Sequence, residues 1–431
     1  MGPARRPPLP LPAERPGGPF RPERWRSPLR GPWLASFLGS ALFPLIAICA
    51  ITGFLSDTAY NPAIGGNSPN PDAIQIPGFR WPTHPAWLYA ATQGLHVISG
   101  LAAIPLLLAK LWSVIPKLYE WPPLRSMAHA LERLSLALLV GGSLFVFATG
   151  VLNIQLYYPF KFTFVPAHYF GAVIFFAALA LHVGLKLPTL VRAFGQHGVL
   201  RPLRVPLAET VPEPHVDETT APIAPGAPTI SRRGFVATVG AASGVLGLMA
   251  AGQTLGGPLR RLGLLAPHGR NPGTGPNGFQ INKTASAVGI APHETGSSWR
   301  LALGGPSGAP VSLSREDLLR MQQATETLPI ACVEGWSTTQ NWTGVRLRDL
   351  ARLVGAETGH DVHVESLQRG GAFRQAWLAQ NQVADPRSLL ALKVNGADLS
   401  LDHGFPARVI VPALPGVHCT KWVASMRFIP S

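Results

Sequence analysis

The stretch Ile330-Ala331-Cys332-Val333-Glu334-Gly335-Trp336-Ser337 decides how this chain is read, because it sets a lone thiol at the end of an expected strand. The protein has three cysteines, Cys49, Cys332 and Cys419, far apart and with no Cys-x-x-Cys pair. That spacing argues against zinc ribbons, cysteine-ligated iron–sulfur clusters and disulfide scaffolds, so thiol chemistry rests on one cysteine. A thiolate is a good soft ligand for a transition metal. The plain alternatives for Cys332 are a buried small residue, or a disulfide with Cys419 in an oxidising exterior.

The stretch leads on through Asn341-Trp342-Thr343-Gly344-Val345-Arg346-Leu347. A second one, Asp402-His403-Gly404-Phe405-Pro406-Ala407-Arg408-Val409, leads to Cys419-Thr420-Lys421-Trp422-Val423. Its His/Arg/Lys cluster suits an anionic, phosphate-bearing ligand. Between and before these stretches the pattern predicts strands at 299–303, 361–365 and 409–411, and a helix after Ser314 with Asp317 at its third position. Asn395-Gly396 signals a tight hairpin. Residues 258–431 are therefore expected to form an α+β, sheet-rich domain large enough for its own core.

Upstream the chain changes character. Only 13% of the 431 residues are charged, against about 25% in a soluble globular domain. The net charge of +14 gathers in a proline-rich N-terminus, expected to be a disordered basic segment over 1–32, and beside four long apolar runs. These runs, 33–55, 85–109, 134–160 and 162–185, are each long enough to span a bilayer core of about 30 Å. Lys and Arg between the second and third runs and after the fourth place those connections and the N-terminus in the cytoplasm. Lipid, and not nucleic acid, accounts for the basic charge.

The four runs form an expected all-α transmembrane domain, 33–190, followed by a cytoplasmic linker, 191–230. Ser231-Arg232-Arg233-Gly234-Phe235 opens a fifth segment, 231–257, read either as a fifth membrane helix or as a twin-arginine export signal. Both readings put residues 258–431 outside the cytoplasm, periplasmic or extracellular, on a bacterial cell membrane.

Ionisable residues inside a bilayer are costly and point to function. His96 falls in the second run, His129 at the cytoplasmic start of the third, and His168 and His182 in the fourth. The last two lie on nearly one helical face, about 21 Å apart. Depth pairs His96 with His168 and His129 with His182, an arrangement that suits two bis-histidine haems b. A four-helix unit with these histidines resembles the cytochrome b subunits of membrane hydrogenases and formate dehydrogenases.

The motifs around Cys332 and His403 resemble the molybdenum domain of the sulfite oxidase family, over about residues 275–428. The resemblance implies that Cys332 ligates molybdenum held by one molybdopterin. It implies too that His403, Arg408 and Lys421 bind the pterin and its phosphate, that Asn282 meets the pterin, and that Trp342 lines the substrate pocket. Val333-Glu334-Gly335-Trp336 is closer to the bacterial methionine-sulfoxide reductase branch, and no arginine occurs between Met321 and Val345.

The expected protein is a membrane-bound molybdopterin oxidoreductase. It moves an oxygen atom to or from a small-molecule donor or acceptor, and exchanges electrons through haem b with quinone, quinol or another membrane carrier. The rivals are a sulfoxide or N-oxide reductase running on quinol electrons, and a non-catalytic, membrane-tethered binding protein.

Overall fold

A computed structural model describes residues 16–60, 79–121, 126–213, 221–267, 277–357 and 359–431. The expectations for residues 1–15 and 214–220, within the basic segment and the linker, lie outside these.

The apolar runs fold as helices because each is long, nearly free of charge along its middle and made mostly of apolar residues. They are α1 (Pro32–Tyr60), α2 (Leu88–Leu118), α3 (Met127–Ile154), α4 (Phe164–His197) and α5 (Arg232–Leu255). All five are long and apolar enough to cross a membrane. At their C-termini α2 and α4 run 9 and 12 residues past the expected runs, and α3 starts 7 residues early, since polar flanking residues continue a helix once it is nucleated, whereas α3 ends 6 residues short of the expected 160.

The chain divides into two compact units, residues 1–46, 102–148 and 168–245 in the first, and 47–101, 149–167 and 246–431 in the second. In the first, Trp33, Leu34, Leu38 and Ala109 form one apolar cluster and Ile46, Ala103 and Phe175 another. The basic N-terminal segment is partly folded, contrary to the expectation of disorder over its whole length. Leu29 and Arg30 are buried, and the Arg30 guanidinium lies over the Trp112 ring and donates to the Trp112 carbonyl at 3.2 Å. An aromatic face and a carbonyl satisfy the cation that composition alone would leave in water. The expected linker also contributes: Glu213 accepts from the Trp33 amide at 2.8 Å, capping the start of α1. Arg232, first of the arginine pair, is buried and donates to the Val211 carbonyl at 2.8 Å.

The second unit carries the sheets. Strands β1 (Arg300–Gly304) and β2 (Val311–Ser314) precede the short helix α6 (Arg315–Arg320), and β3 (Ala324–Ala331) and β4 (Ser337–Arg346) precede α7 (Leu347–Leu353). Then come β5 (His360–Ser366), β6 (Gln375–Leu378), α8 (Gln380–Ala384), β7 (Leu389–Val394), β8 (Ala397–Asp398), β9 (Arg408–Ile410) and β10 (Val423–Pro430). One sheet has the order β2-β1-β10-β5-β6; the other has β3-β4-β7-β8, with β9 also paired to β7. The predicted capping box is present, Ser314 and Asp317 exchanging side-chain-to-amide bonds at 2.9 and 3.1 Å. Asn395 and Gly396 take φ of 51° and 83°, as the two-residue β7–β8 turn requires.

The main core joins alternate residues of both sheets, among them Leu301, Val362, Leu390 and Val409. Ala59, Tyr60, Trp81 and Tyr89 belong to the same core. The last turn of α1 and the first of α2 are thus part of this unit's interior. Trp81 Nε1 donates to the Ala413 carbonyl at 2.6 Å.

Candidate functional site

Cys332 follows β3 directly and is 4% exposed. Its amide donates to the Trp336 carbonyl at 2.9 Å and the Gly335 amide donates back to the Cys332 carbonyl at 3.0 Å, closing a five-residue loop. Gly335 has φ of +88°, a conformation that favours glycine. The thiol faces Glu334 Oε1 at 3.5 Å, while Trp336 Nε1 donates to Glu334 Oε2 at 2.8 Å. Burial, and then the adjacent Glu334 carboxyl, push the Cys332 thiol well above its ordinary pKa. Cys332 and Cys419 are both free thiols, so the disulfide alternative is not realised.

Cys332, Asn282, Arg408 and Lys421 line one small pocket, partly open to solvent, together with Phe279, Gln280, Trp336 and Gly416. Residues distant in sequence meet here because β3, β9 and the segment before β10 converge. Arg408 is 4% exposed, with Nε donating to the Cys419 carbonyl and Nη1 to the His403 carbonyl, both at 3.2 Å. Burial lowers its pKa to about 10. Lys421 Nζ donates to the carbonyls of Lys283 and Asp402 at 2.7 and 2.8 Å. Burial, reinforced by the Arg408 charge, lowers its pKa to about 6.

Two expected positions behave differently. His403 does not line the pocket: its ring meets Ser400 Oγ at 2.8 Å through Nδ1 and the Phe279 carbonyl at 3.2 Å through Nε2. Burial, then Arg408 and Lys421, lower its pKa to about 4, so the ring is neutral at pH 7 and supports Arg408 through its carbonyl. Trp342 does not line the pocket either. It is fully buried, donates to the Leu328 carbonyl at 3.2 Å, and packs edge-on to Phe279 with the Arg408 guanidinium 5.6 Å from its ring. The strand alternation of β4 turns it into the core. Trp336 takes the place at the pocket wall.

Gln280 was not singled out by its residue type. It is 4% exposed, lines the pocket, and its Nε2 has no hydrogen-bond partner among the described residues. It stands inside the stretch Phe279-Gln280-Ile281-Asn282-Lys283 that contains Asn282, and only the fold shows which of these side chains points inward.

Of the helix histidines, His96 belongs to the second unit and His129, His168 and His182 to the first. His96 Nδ1 lies 2.8 Å from the Cys49 carbonyl and 3.5 Å from the Cys49 thiol, an arrangement that fixes ring orientation. A Cβ on Gly53 would come within 2.7 Å of that ring, so the bare glycine admits it. Among the described residues no three His, Cys, Asp or Glu side chains cluster to hold a metal ion.

Residues 288–431 match the family model of the oxidoreductase molybdopterin binding domain. The chain is 33% identical over 140 residues to the uncharacterized oxidoreductase YuiH of Bacillus subtilis, covering 32% of this chain and 68% of that protein. It is 33% identical over 147 residues to the mitochondrial sulfite oxidase of Rattus norvegicus, 28% of this chain and 27% of that one. To the NAD(P)H nitrate reductase of Hordeum vulgare it is 32% identical over 164 residues, 31% of this chain and 18% of that one. The matched part thus spans under a third of the length of the latter two.

Proposed function

The chain belongs to the sulfite oxidase-type molybdopterin-binding oxidoreductases, and on that premise we propose that it is a membrane-bound enzyme transferring an oxygen atom to or from a small substrate. Its electrons are exchanged through haem b with quinone or another membrane carrier. The observation that carries the reading is the convergence of Cys332, Arg408, Lys421, Asn282 and the unpartnered Gln280 amide on one pocket.

Molybdopterin fits these residues. A buried amide donor without a partner costs about 1–3 kcal/mol, and a polar ligand removes that cost. Two neighbouring cations, one with its pKa held down to about 6, are what an anionic group relieves. Arg408, Lys421, Asn282 and Gln280 would hold the organic part and Cys332 its metal. When bound, the cofactor supplies a metal whose oxidation state changes by two as oxygen is transferred. The chain orients Arg408 through two backbone carbonyls, keeps His403 neutral, and places the Glu334 carboxyl next to the metal-binding thiol.

That carboxyl favours a neutral substrate over a dianion. With no guanidinium in 322–344, a sulfoxide or N-oxide suits this wall better than sulfite. The helices support the membrane part of the reading: only 11% of the apolar stretch of α3, α4 and α5 is buried against protein, leaving most side chains for lipid. His96, oriented from its Nδ1 side by the Cys49 carbonyl, and His129, His168 and His182 are the residues that would hold haem b.

Metal analysis and a visible spectrum of the purified chain test this, followed by a substrate screen that monitors haem reduction in membranes. Stoichiometric molybdenum and a Soret band are expected. Neither of them would leave a membrane-tethered binding protein.

A further inference from the structure

The loop that carries Cys332 presents three consecutive carbonyls, and each accepts a side-chain hydrogen bond from the end of an apolar helix. Gln93 Nε2 donates to the Val333 carbonyl at 2.6 Å, Gln253 Nε2 to the Glu334 carbonyl at 2.7 Å, and Thr254 Oγ1 to the Gly335 carbonyl at 2.8 Å. Gln93 sits near the start of α2; Gln253 and Thr254 close α5. All three donors are buried. The contact is returned by Ser337 Oγ, which donates to the Thr254 carbonyl at 2.6 Å.

Two glycines make the approach possible. A Cβ on Gly335 would come within 2.9 Å of Val97, one turn beyond Gln93 on the same helix, and a Cβ on Gly94 would overlap the Thr254 side chain. Such small-residue contacts let backbones meet closely. A tight loop ordinarily leaves its carbonyls to water. Here three polar side chains in otherwise apolar helices are committed to them, and polar groups in that position are costly unless used.

We propose that Gln93, Gln253 and Thr254 are positioning residues for Cys332, so that the thiol is aimed from the ends of α2 and α5 as well as from β3. The inference rests on Cys332 being the metal ligand. It extends that reading by assigning work at the molybdenum site to residues outside the matched segment 288–431.

The test uses the full chain and the variants Gln93→Met, Thr254→Val, Thr254→Ser and Gly335→Ala. In cofactor-free protein, the rate of Cys332 alkylation by N-ethylmaleimide is followed by mass spectrometry, with Cys332→Ser fixing the background from the other two thiols. In molybdenum-loaded protein, the Mo(V) electron paramagnetic resonance signal is recorded. Gln93→Met, Thr254→Val and Gly335→Ala are expected to speed alkylation about tenfold, the scale of one lost buried hydrogen bond, and to shift the resonance. Thr254→Ser, which keeps the donor, is expected to match the parent in both. Unchanged alkylation and resonance in folded Gln93→Met and Thr254→Val would overturn the proposal. If one of these does not fold, the other and Gly335→Ala decide. A parent chain that takes up no molybdenum would sink the molybdopterin reading alone, because the alkylation arm needs no metal and still decides the positioning.

Discussion

The Cys332 thiol points at Oε1 of Glu334 from 3.5 Å, and the other oxygen of that carboxyl is tied to the Trp336 indole. An acidic side chain two residues after Cys332 is therefore held in place and is not free to swing away. The wall beside the metal would repel anions.

Replacing Glu334 with Gln keeps an oxygen that can accept from the Trp336 indole and removes the carboxyl group. Turnover of anionic oxyanions such as sulfite is expected to rise about tenfold in kcat/KM relative to a neutral sulfoxide, equivalent to about 1.4 kcal/mol. Paired kinetics on the two substrates measure it; equal change for both would dismiss the electrostatic account.

Cys332→Ser removes the soft ligand and changes little volume. Turnover is expected to fall by roughly 10³-fold or more, about 4 kcal/mol, with the haem spectrum intact. Haem loss in this variant would mean that the thiol supports the fold and not the metal.

For His182→Ala a haem band is expected to disappear while molybdenum content stays at the parent level, read by difference spectroscopy and metal analysis. Full retention of haem absorbance would break the pairing of His129 with His182.

Lys421 has a folded pKa of about 6, below the ordinary value of 10.5. Between those two values the unfolded chain holds a proton that the cofactor-free folded chain lacks. Stability of the cofactor-free protein therefore rises with pH across this window. Lys421→Met should flatten that rise in the melting temperature. Binding of an anion at the pocket restores the charged form, so at pH 7–8 it should be accompanied by proton uptake, measurable by calorimetry in buffers of different ionisation enthalpy. Uptake unchanged in Lys421→Met would rule this out.

Much was legible locally. The capping box at Ser314, the turn at Asn395-Gly396 and the apolar helices each depend on residues within a few positions of one another, and each is present. Cys332, Arg408, Lys421 and Asn282 line one pocket. Trp342 and His403 stand behind the pocket wall, because a motif gives residue type while the face a strand or turn presents depends on register. Arg30 fell within the segment expected to be disordered because charge and proline content cannot reveal an aromatic partner 82 residues away.

By itself the sequence determined what short-range chemistry dictates: which segments are too apolar for water, where a helix is capped and where a hairpin turns. Only the tertiary structure decided that Gln93, Gln253 and Thr254 hold the loop behind that thiol. Their bonds join residues about 80 to 240 positions apart, and no local propensity encodes such a pairing. It exists because burying an amide in an apolar helix end is tolerable only where a carbonyl is waiting, and the folded chain brings the two together.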